Sequence, residues 1–505
     1  MNLKKKFICN GILMSIVNLS MRTVTLYFSA FILSRVGEEG VGLFTLLMNV
    51  FSFAVTFVSA GVSLSVTSLI AAEVGVDAAR HRQKILRAAL LYCSVISLIA
   101  TLALLLLSLP LCTHLIGDTR ALIPLRILTL SLFPIAMCSV YGGYFVAVRR
   151  VPLNAAVQVF SQLLKIILTV LVLPARGVTD VGEGMVRLCA VSTLCELAGF
   201  VALSLLFLFC APRLPKEQTA ACRTPSKLGA FLGVTVPLAL SAYIRQALLT
   251  LEHSMIPKRL LKFQNTTMDK ALADYGALHG MALPLLLYPL SPLSSFSGLL
   301  VPEFAELQSC ADKRRMSSIA SRALSYTLSY AAVVCVFLFV FSEELSCLIY
   351  KTPSAAVHLF VLAPVVPLMY LDHVTDAMLK GIGEHVYSMW VNITDSLLSI
   401  VLLYFLLPHL GITGYAIVIL AMEGYNFTLS MLRLSRRVKL RVPFVRTMVL
   451  PLACALFAAL ITNQLFLLNG STTPYLFFFF KLIFFLAIFF FFYRILTLKK
   501  AKISL

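Results

Sequence analysis

Long apolar runs broken by short basic loops dominate the chain. Fourteen runs can be drawn, at approximately 8–33, 41–72, 84–113, 121–148, 152–175, 185–211, 228–256, 275–302, 318–342, 354–380, 385–407, 411–433, 443–467 and 473–496. Each is long enough to cross a hydrocarbon core of about 30 Å as a helix, at roughly 1.5 Å per residue. No gap between runs is long enough for a folded extramembrane domain. The pattern predicts an all-α polytopic membrane protein with 14 transmembrane helices.

Composition agrees. The 505 residues are 60% hydrophobic and 13% charged, against about 25% charged in soluble domains. The net charge of +20 does not point to nucleic acid, because the basic residues lie in loops between spans, where they act as orientation signals. Placing the N-terminus inside puts most of them in inner segments, including Lys4–Lys6, Arg80–Arg87, Lys313–Arg315 and Arg433–Arg441. The expectation is a multi-pass protein of the cytoplasmic membrane with both termini cytoplasmic. The outer loop 257–274 is the exception, carrying Lys258, Arg259, Lys262 and Lys270. The 12 cysteines are scattered, mostly within apolar runs, and read as small packing residues rather than a disulfide framework or metal site.

The chain repeats itself. Gly42 and Gly276 are 234 apart, Pro134 and Pro367 233, Glu73 and Glu306 233, and Pro174 and Pro408 234. Spans 1–6 therefore match spans 7–12. The expected division is an N-terminal lobe at 1–211, a cytoplasmic linker at 212–227, a C-terminal lobe at 228–440, and two added helices with a basic tail at 441–505. Six spans per repeat is an even number, so the halves enter from the same side, as in transporters that bind substrate between two lobes and rock them. The expected shape is two pseudo-symmetric six-helix lobes forming a V.

Charges inside the spans are the candidate functional residues, because each is costly at membrane depth. Arg22 sits in the middle of span 1. The first outer loop of the second repeat is eleven residues longer than that of the first, which reduces the local offset to about 223 and makes Arg245 the counterpart of Arg22. Glu252 lies two helical turns beyond Arg245, so an ion pair on one helix face is the alternative to a substrate role. Asp372 and Asp376 are four apart and share a face. Lys380, four residues further on, offers a plain salt bridge as the alternative to a functional pair. Lys165 and Glu196 are further intramembrane charges of the first repeat, read as a mutual pair or a substrate contact. Lys481 is the only interior charge of the phenylalanine-rich last span, which reads as a lipid-facing anchor. No nucleotide-binding, metalloprotease or nucleophile-elbow motif is present, so no enzyme is expected.

The segments "SRVGEEGVGLFTLLMNVFSFAVTFVSAGVSLSVTSLIAAEVG", "VTVPLALSAYIRQALLTLEHSMIPKRLL", "YGALHGMALPLLLYPL" and "LLYFLLPHLGITGYAIVI", in that order and spacing, resemble the multidrug/oligosaccharidyl-lipid/polysaccharide flippase superfamily. The resemblance is to its stage V sporulation protein B-like polysaccharide-transporter branch, related to the lipid II flippases. It implies translocation of an undecaprenyl-diphosphate-linked saccharide, a peptidoglycan or polysaccharide precursor, by alternating access, with membrane lipid as the other partner and a monomer as the working unit. It also implies a cationic cavity, for which Arg22, Arg245, His279 and Glu252 are the substrate-binding candidates. Span 2 lacks the arginine or lysine of the flippase pattern, and His279 stands where span 8 has a basic residue. Asp372, Asp376 and Asn392 are the candidate sodium site, with a proton as the other coupling ion and no further cofactor. The two extra helices would line a groove for the lipid tail. A cation-coupled drug or metabolite exporter of the same superfamily and a non-transporting cell-envelope assembly protein are the alternatives.

Overall fold

The computed structural model describes residues 3–72, 78–148, 150–174, 180–210, 227–263, 267–467 and 474–503. The expected linker at 212–227 lies, but for Lys227, outside the described residues, as does Glu73. The described residues are helical nearly throughout. Among the described residues nine helices are long and apolar enough to cross a membrane, and two bent pairs complete further spans. Two of the nine are double: Leu3–Ser59 is interrupted at Gly37 (φ 79°, ψ 176°) and His385–Arg437 at Gly411 (φ 59°, ψ −143°). With the 34-residue helix Lys227–Leu260, these give the fourteen spans expected.

Both interruptions are glycines because their backbone angles are closed to residues with a Cβ. At Gly411 there is also no room, since an added Cβ would stand 2.8 Å from the Phe263 ring.

Two further breaks come from lost ladder bonds. Between Leu122–Thr129 and Leu132–Ala147 the amides of Leu130 and Ser131 turn back to carbonyls three residues earlier, and the span bends by 44°. At the equivalent place 233 residues on, a short tight helix at Ala363–Val365 separates Ala356–Leu362 from Val366–Gly381. The repeat read from sequence thus recurs as a repeat of helix breaks.

Packing defines two compact units. One comprises Met1–Leu33, Lys262–Asn265 and Asp274–Leu505; the other comprises Ser34–Leu261 and Thr266–Ala273. The expected lobes, 1–211 and 228–440, divide the chain by repeat, whereas the units divide it by packing. They differ in the fate of each repeat's first helix. In the first unit, the opening helix bonds to the eighth span through Ser29 Oγ to the Gly280 carbonyl (3.0 Å) and through the Thr23 and Tyr288 hydroxyls (2.8 Å). In the other, the seventh span bonds to the second through Tyr243 to the Phe57 carbonyl (2.9 Å) and Thr250 to the Asn49 carbonyl (3.3 Å).

The first unit has a core of Phe304, Leu324, Val374, Met378 and Leu434, where Leu290–Ser309, Lys313–Val340, Val366–Gly381 and the end of His385–Arg437 meet. The last two helices pack against this unit. Lys481 is buried and donates to Glu344 Oε1 and, at 2.9 Å, to Asn463 Oδ1, with its ammonium over the Phe341 ring. Only one face of the last helix carries the exposed phenylalanines, among them Phe480, Phe484 and Phe491. The other face holds Lys481, Phe485 and Phe489 inside, so the reading of this helix as a lipid-facing anchor holds for half its surface. In the second unit, Arg120 gathers Glu39 (2.6 Å), Asp118 (2.6 Å) and Asp269 (3.0 Å) into one ion-pair network.

Each unit closes one helix pair on a glycine. A Cβ at Gly143 would lie 2.6 Å from the Ser63 carbonyl oxygen, and one at Gly381 2.7 Å from that of Val301. Gly143→Ala and Gly381→Ala should each destabilise the protein by about 1–3 kcal/mol through overpacking against backbone. Gly424→Ala, where nothing lies within 4 Å, should be neutral or stabilising. Thermal melting in detergent checks this, and equal melting of all three variants would refute the close-packing account.

Candidate functional site

The eighth span is the most irregular in the chain. It runs Met268–Tyr275, a wide π-helical turn at Gly276–Ala282, Leu283–Leu287, and then Leu290–Ser309. Pro284, Pro289 and Pro292 lie in this stretch, and a proline supplies no amide to the ladder. The span bends by 60° at Tyr288–Pro289. The Ser291 amide bonds to the Tyr288 carbonyl instead of reaching Leu287, so carbonyls around the bend are left for side chains.

Arg22 takes one of them. Its Nη1 donates to the Leu287 carbonyl at 2.7 Å, its only hydrogen bond among the described residues. Tyr370 donates to the Leu286 carbonyl (2.9 Å), Tyr330 to that of Pro289 (2.8 Å), and Tyr350 to that of Met281 (3.0 Å). The three tyrosines were not singled out by sequence reasoning. The nearest signal in the sequence is the proline-rich span itself, whose irregular backbone calls for side-chain donors at membrane depth without saying which ones. A guanidinium has five N–H donors. One is fixed on Leu287, and the Arg22 side chain is otherwise exposed, so the group is aimed by the break and retains donors for a ligand.

His279 stands in the π-helical turn. Its Nε2 is 2.8 Å from the Tyr415 hydroxyl, and its ring lies against those of Tyr275 and Tyr415. Arg245 is exposed on the seventh span and makes no hydrogen bond or ion pair among the described residues. Glu252 is half-buried and partnered.

The carboxylate pair is treated unequally. Asp376 bonds Lys380 at 2.5 Å and accepts from Ser388 Oγ, so the salt bridge anticipated from spacing forms. Asn392 donates its amide to the Ser388 carbonyl at 2.7 Å, which brings Asp376 and Asn392 to one shared serine. Asp372 meets Ser430 instead and shares an electrostatic neighbourhood with Glu423, which also senses Asp395. The Oδ1 atoms of Asp372 and Asn426 are buried without a hydrogen-bond partner among the described residues. Glu423 and Asn426 were missed because they stand about fifty residues from the Asp372 pair, with no other carboxylate at helical spacing from Glu423. Folding back the twelfth span supplies them. Among the described residues no three acidic, histidine or cysteine groups converge as a metal site. The donor set of carboxylate and amide oxygens is nevertheless the kind a hard cation or a shared proton satisfies.

At one end of this region Glu384 bonds Arg433 (2.8 Å) and Arg437 (2.7 Å). Their hydrogen bonds, Arg433's foremost, hold its carboxyl below the usual carboxylate range.

Comparisons with known proteins give one family and one fold. The profile of the family described as "Polysaccharide biosynthesis protein" matches residues 5–308. Stage V sporulation protein B of Bacillus subtilis (strain 168) is 28% identical over 397 residues, covering 76% of this chain and 75% of the relative. The inward closed structure of the lipid II flippase MurJ superposes with a TM-score of 0.73 at 14% identity, covering 97% of this chain and 100% of that one. An inward-facing multidrug resistance MATE transporter of the MOP superfamily superposes with a TM-score of 0.65 at 17% identity, covering 84% and 98%.

Tyr370 is fully buried, so removing its hydroxyl strands the Leu286 carbonyl. Tyr370→Phe should destabilise the protein by about 1–3 kcal/mol, read as a lowered melting temperature. Unchanged melting would mean the bend finds its donor elsewhere.

Proposed function

Because the chain belongs to the polysaccharide biosynthesis protein family and has the fold of the MOP superfamily transporters, we propose that it is a flippase for an undecaprenyl-diphosphate-linked saccharide. In this reading it moves the sugar head across the cytoplasmic membrane by alternating access, as a monomer with both termini cytoplasmic. The observation that carries the reading is Arg22. It is an arginine at membrane depth, held by one N–H on a helix break and otherwise exposed. A guanidinium bonds two phosphate oxygens at once and stays charged, and a diphosphate is the part of such a lipid that needs it. Arg245, its counterpart in the repeat, is assigned the same role; His279 and Glu252 are assigned to the polar head.

Coupling is assigned to sodium or a proton at Asp372, Asp376 and Asn392, with Glu423 and Asn426 as further oxygen donors. Carboxylates that share a buried neighbourhood repel one another until a cation or proton enters. That penalty is the means by which an ion gradient can bias one conformation of the protein over another.

Two measurements test the reading. Arg22→Ala should abolish complementation of a strain lacking the resident flippase while the protein still accumulates in the membrane. Arg22→Lys, which keeps the charge and loses the fork, should lower translocation by roughly tenfold or more, about 1.4 kcal/mol. Normal transport by Arg22→Ala would return Arg22 to a purely structural role. Separately, Asp372→Asn combined with Asp376→Asn should remove the dependence of transport in reconstituted vesicles on sodium or pH gradients. If that dependence persists, the coupling site lies elsewhere.

A further inference from the structure

A second polar feature lies wholly within the unit that contains Ser34–Leu261. It is a cavity of about 430 Å³ among the helices Val62–Ala72, Leu132–Ala147, Val151–Val172 and Val181–Cys210. Its main wall is one face of Val151–Val172. Asn154, Gln158, Ser161 and Lys165 follow at steps of four, three and four, and Gln162 lies four beyond Gln158 and three before Lys165, so all five fall on one face, and all five line the cavity. Glu196 enters from the facing helix.

The two charges feel each other electrostatically yet form no direct ion pair among the described residues. The side chains of Asn154, Gln158 and Gln162 likewise have no hydrogen-bond partner there. Five polar residues on one face of a membrane helix are costly unless something polar meets them. Glycines keep the space open. A Cβ at Gly199 would press on Ser161 Oγ at 2.7 Å, and one at Gly142 would touch the Asn154 amide.

We propose that this cavity is a saccharide-binding site, holding one or two sugar rings of a lipid-linked or free glycan. The chemistry of the lining selects the class. A sugar ring is uncharged and presents hydroxyls that donate and accept together. Side-chain amides and serine hydroxyls also do both, Lys165 only donates, and ionised Glu196 only accepts. Lys165 is the single cation of the lining and faces the Glu196 carboxyl, so the cavity offers a phosphate no cluster of cationic donors. An acyl or prenyl chain would leave the amide stripe unpaired. The volume falls in the range of about 300–1,000 Å³ typical of small-molecule sites. The choice of sugar, rather than another neutral polar ligand, rests on the family reading above.

The test uses the full chain purified in an amine-oxide detergent, which carries neither sugar nor phosphate. The probes are an N-acetylglucosamine disaccharide and phosphocholine, with binding followed by saturation-transfer NMR titration. The disaccharide should bind the native protein. Gln158→Leu with Gln162→Leu should weaken it at least tenfold at unchanged melting temperature. Lys165→Met and Glu196→Gln should each weaken it several-fold. Should the double variant fail to fold, Gln158→Ala alone serves, with a several-fold loss expected. Arg22→Ala should lose translocation and keep disaccharide binding, which separates this site from the flippase reading. If no lipid-linked saccharide is translocated but the cavity binds the disaccharide, the flippase reading falls and this one stands. Disaccharide binding that is absent in the native protein, or indifferent to the stripe variants, overturns the proposal. So does phosphocholine binding that the stripe variants abolish, which would mark a lipid-headgroup site instead.

Discussion

The backbone of a membrane helix has no water to turn to, so every carbonyl that a break releases must find a donor inside the protein. The eighth span applies this constraint most severely. Arg22 meets the Leu287 carbonyl that the bend releases, and Tyr330, Tyr350 and Tyr370 donate to the nearby carbonyls of Pro289, Met281 and Leu286, so that four other helical segments converge on this one irregular stretch. The break is thus what ties the opening helix, the ninth span and the tenth span to the eighth. It also aims Arg22. An arginine that would be costly in a straight lipid-facing helix becomes a donor to a carbonyl that needs one, with further N–H groups to spare.

The same logic separates the intramembrane charges into two kinds. Lys481 and Asp376 are satisfied. The first is buried on Glu344 and Asn463, and the second is paired with Lys380 and Ser388. They fasten helices together. Arg245, Lys165 and Glu196 form no ion pair among the described residues, and Asp372 keeps one buried oxygen without a hydrogen-bond partner there. Charge at membrane depth is therefore an ambiguous sign until its partners are known.

The first helices of the two repeats exchange packing partners. The opening helix belongs by packing with the eighth span and the seventh with the second, so the chain passes from one compact unit to the other at Leu33–Ser34. Gly37, whose backbone angles exclude other residues, lies three positions beyond that crossing. A glycine there permits the direction change without a strained side chain. The Arg120 network then secures the same loop through Glu39.

The sequence by itself determined the spans and the repeat. Apolar length and a constant offset of 233–234 are local properties that need no partner to be read. It also located Arg22, Arg245, Asp372 and Asp376 as exceptional, since their cost depends only on depth in the span. Only the tertiary structure decided what each of them touches. Lys380 at helical spacing correctly foretold the fate of Asp376, because an i, i+4 contact is fixed by the helix. The tyrosine caps, the Glu423 neighbour of Asp372, the burial of Lys481 and the regrouping of the first helices all join residues tens to hundreds of positions apart. Such contacts are chosen by which faces pack together, and apolar faces of similar composition do not announce their partners. The amide stripe of Val151–Val172 lies between these cases. Its spacing is written in the sequence, but the cavity that gives it meaning exists only where three other helices stand off from it.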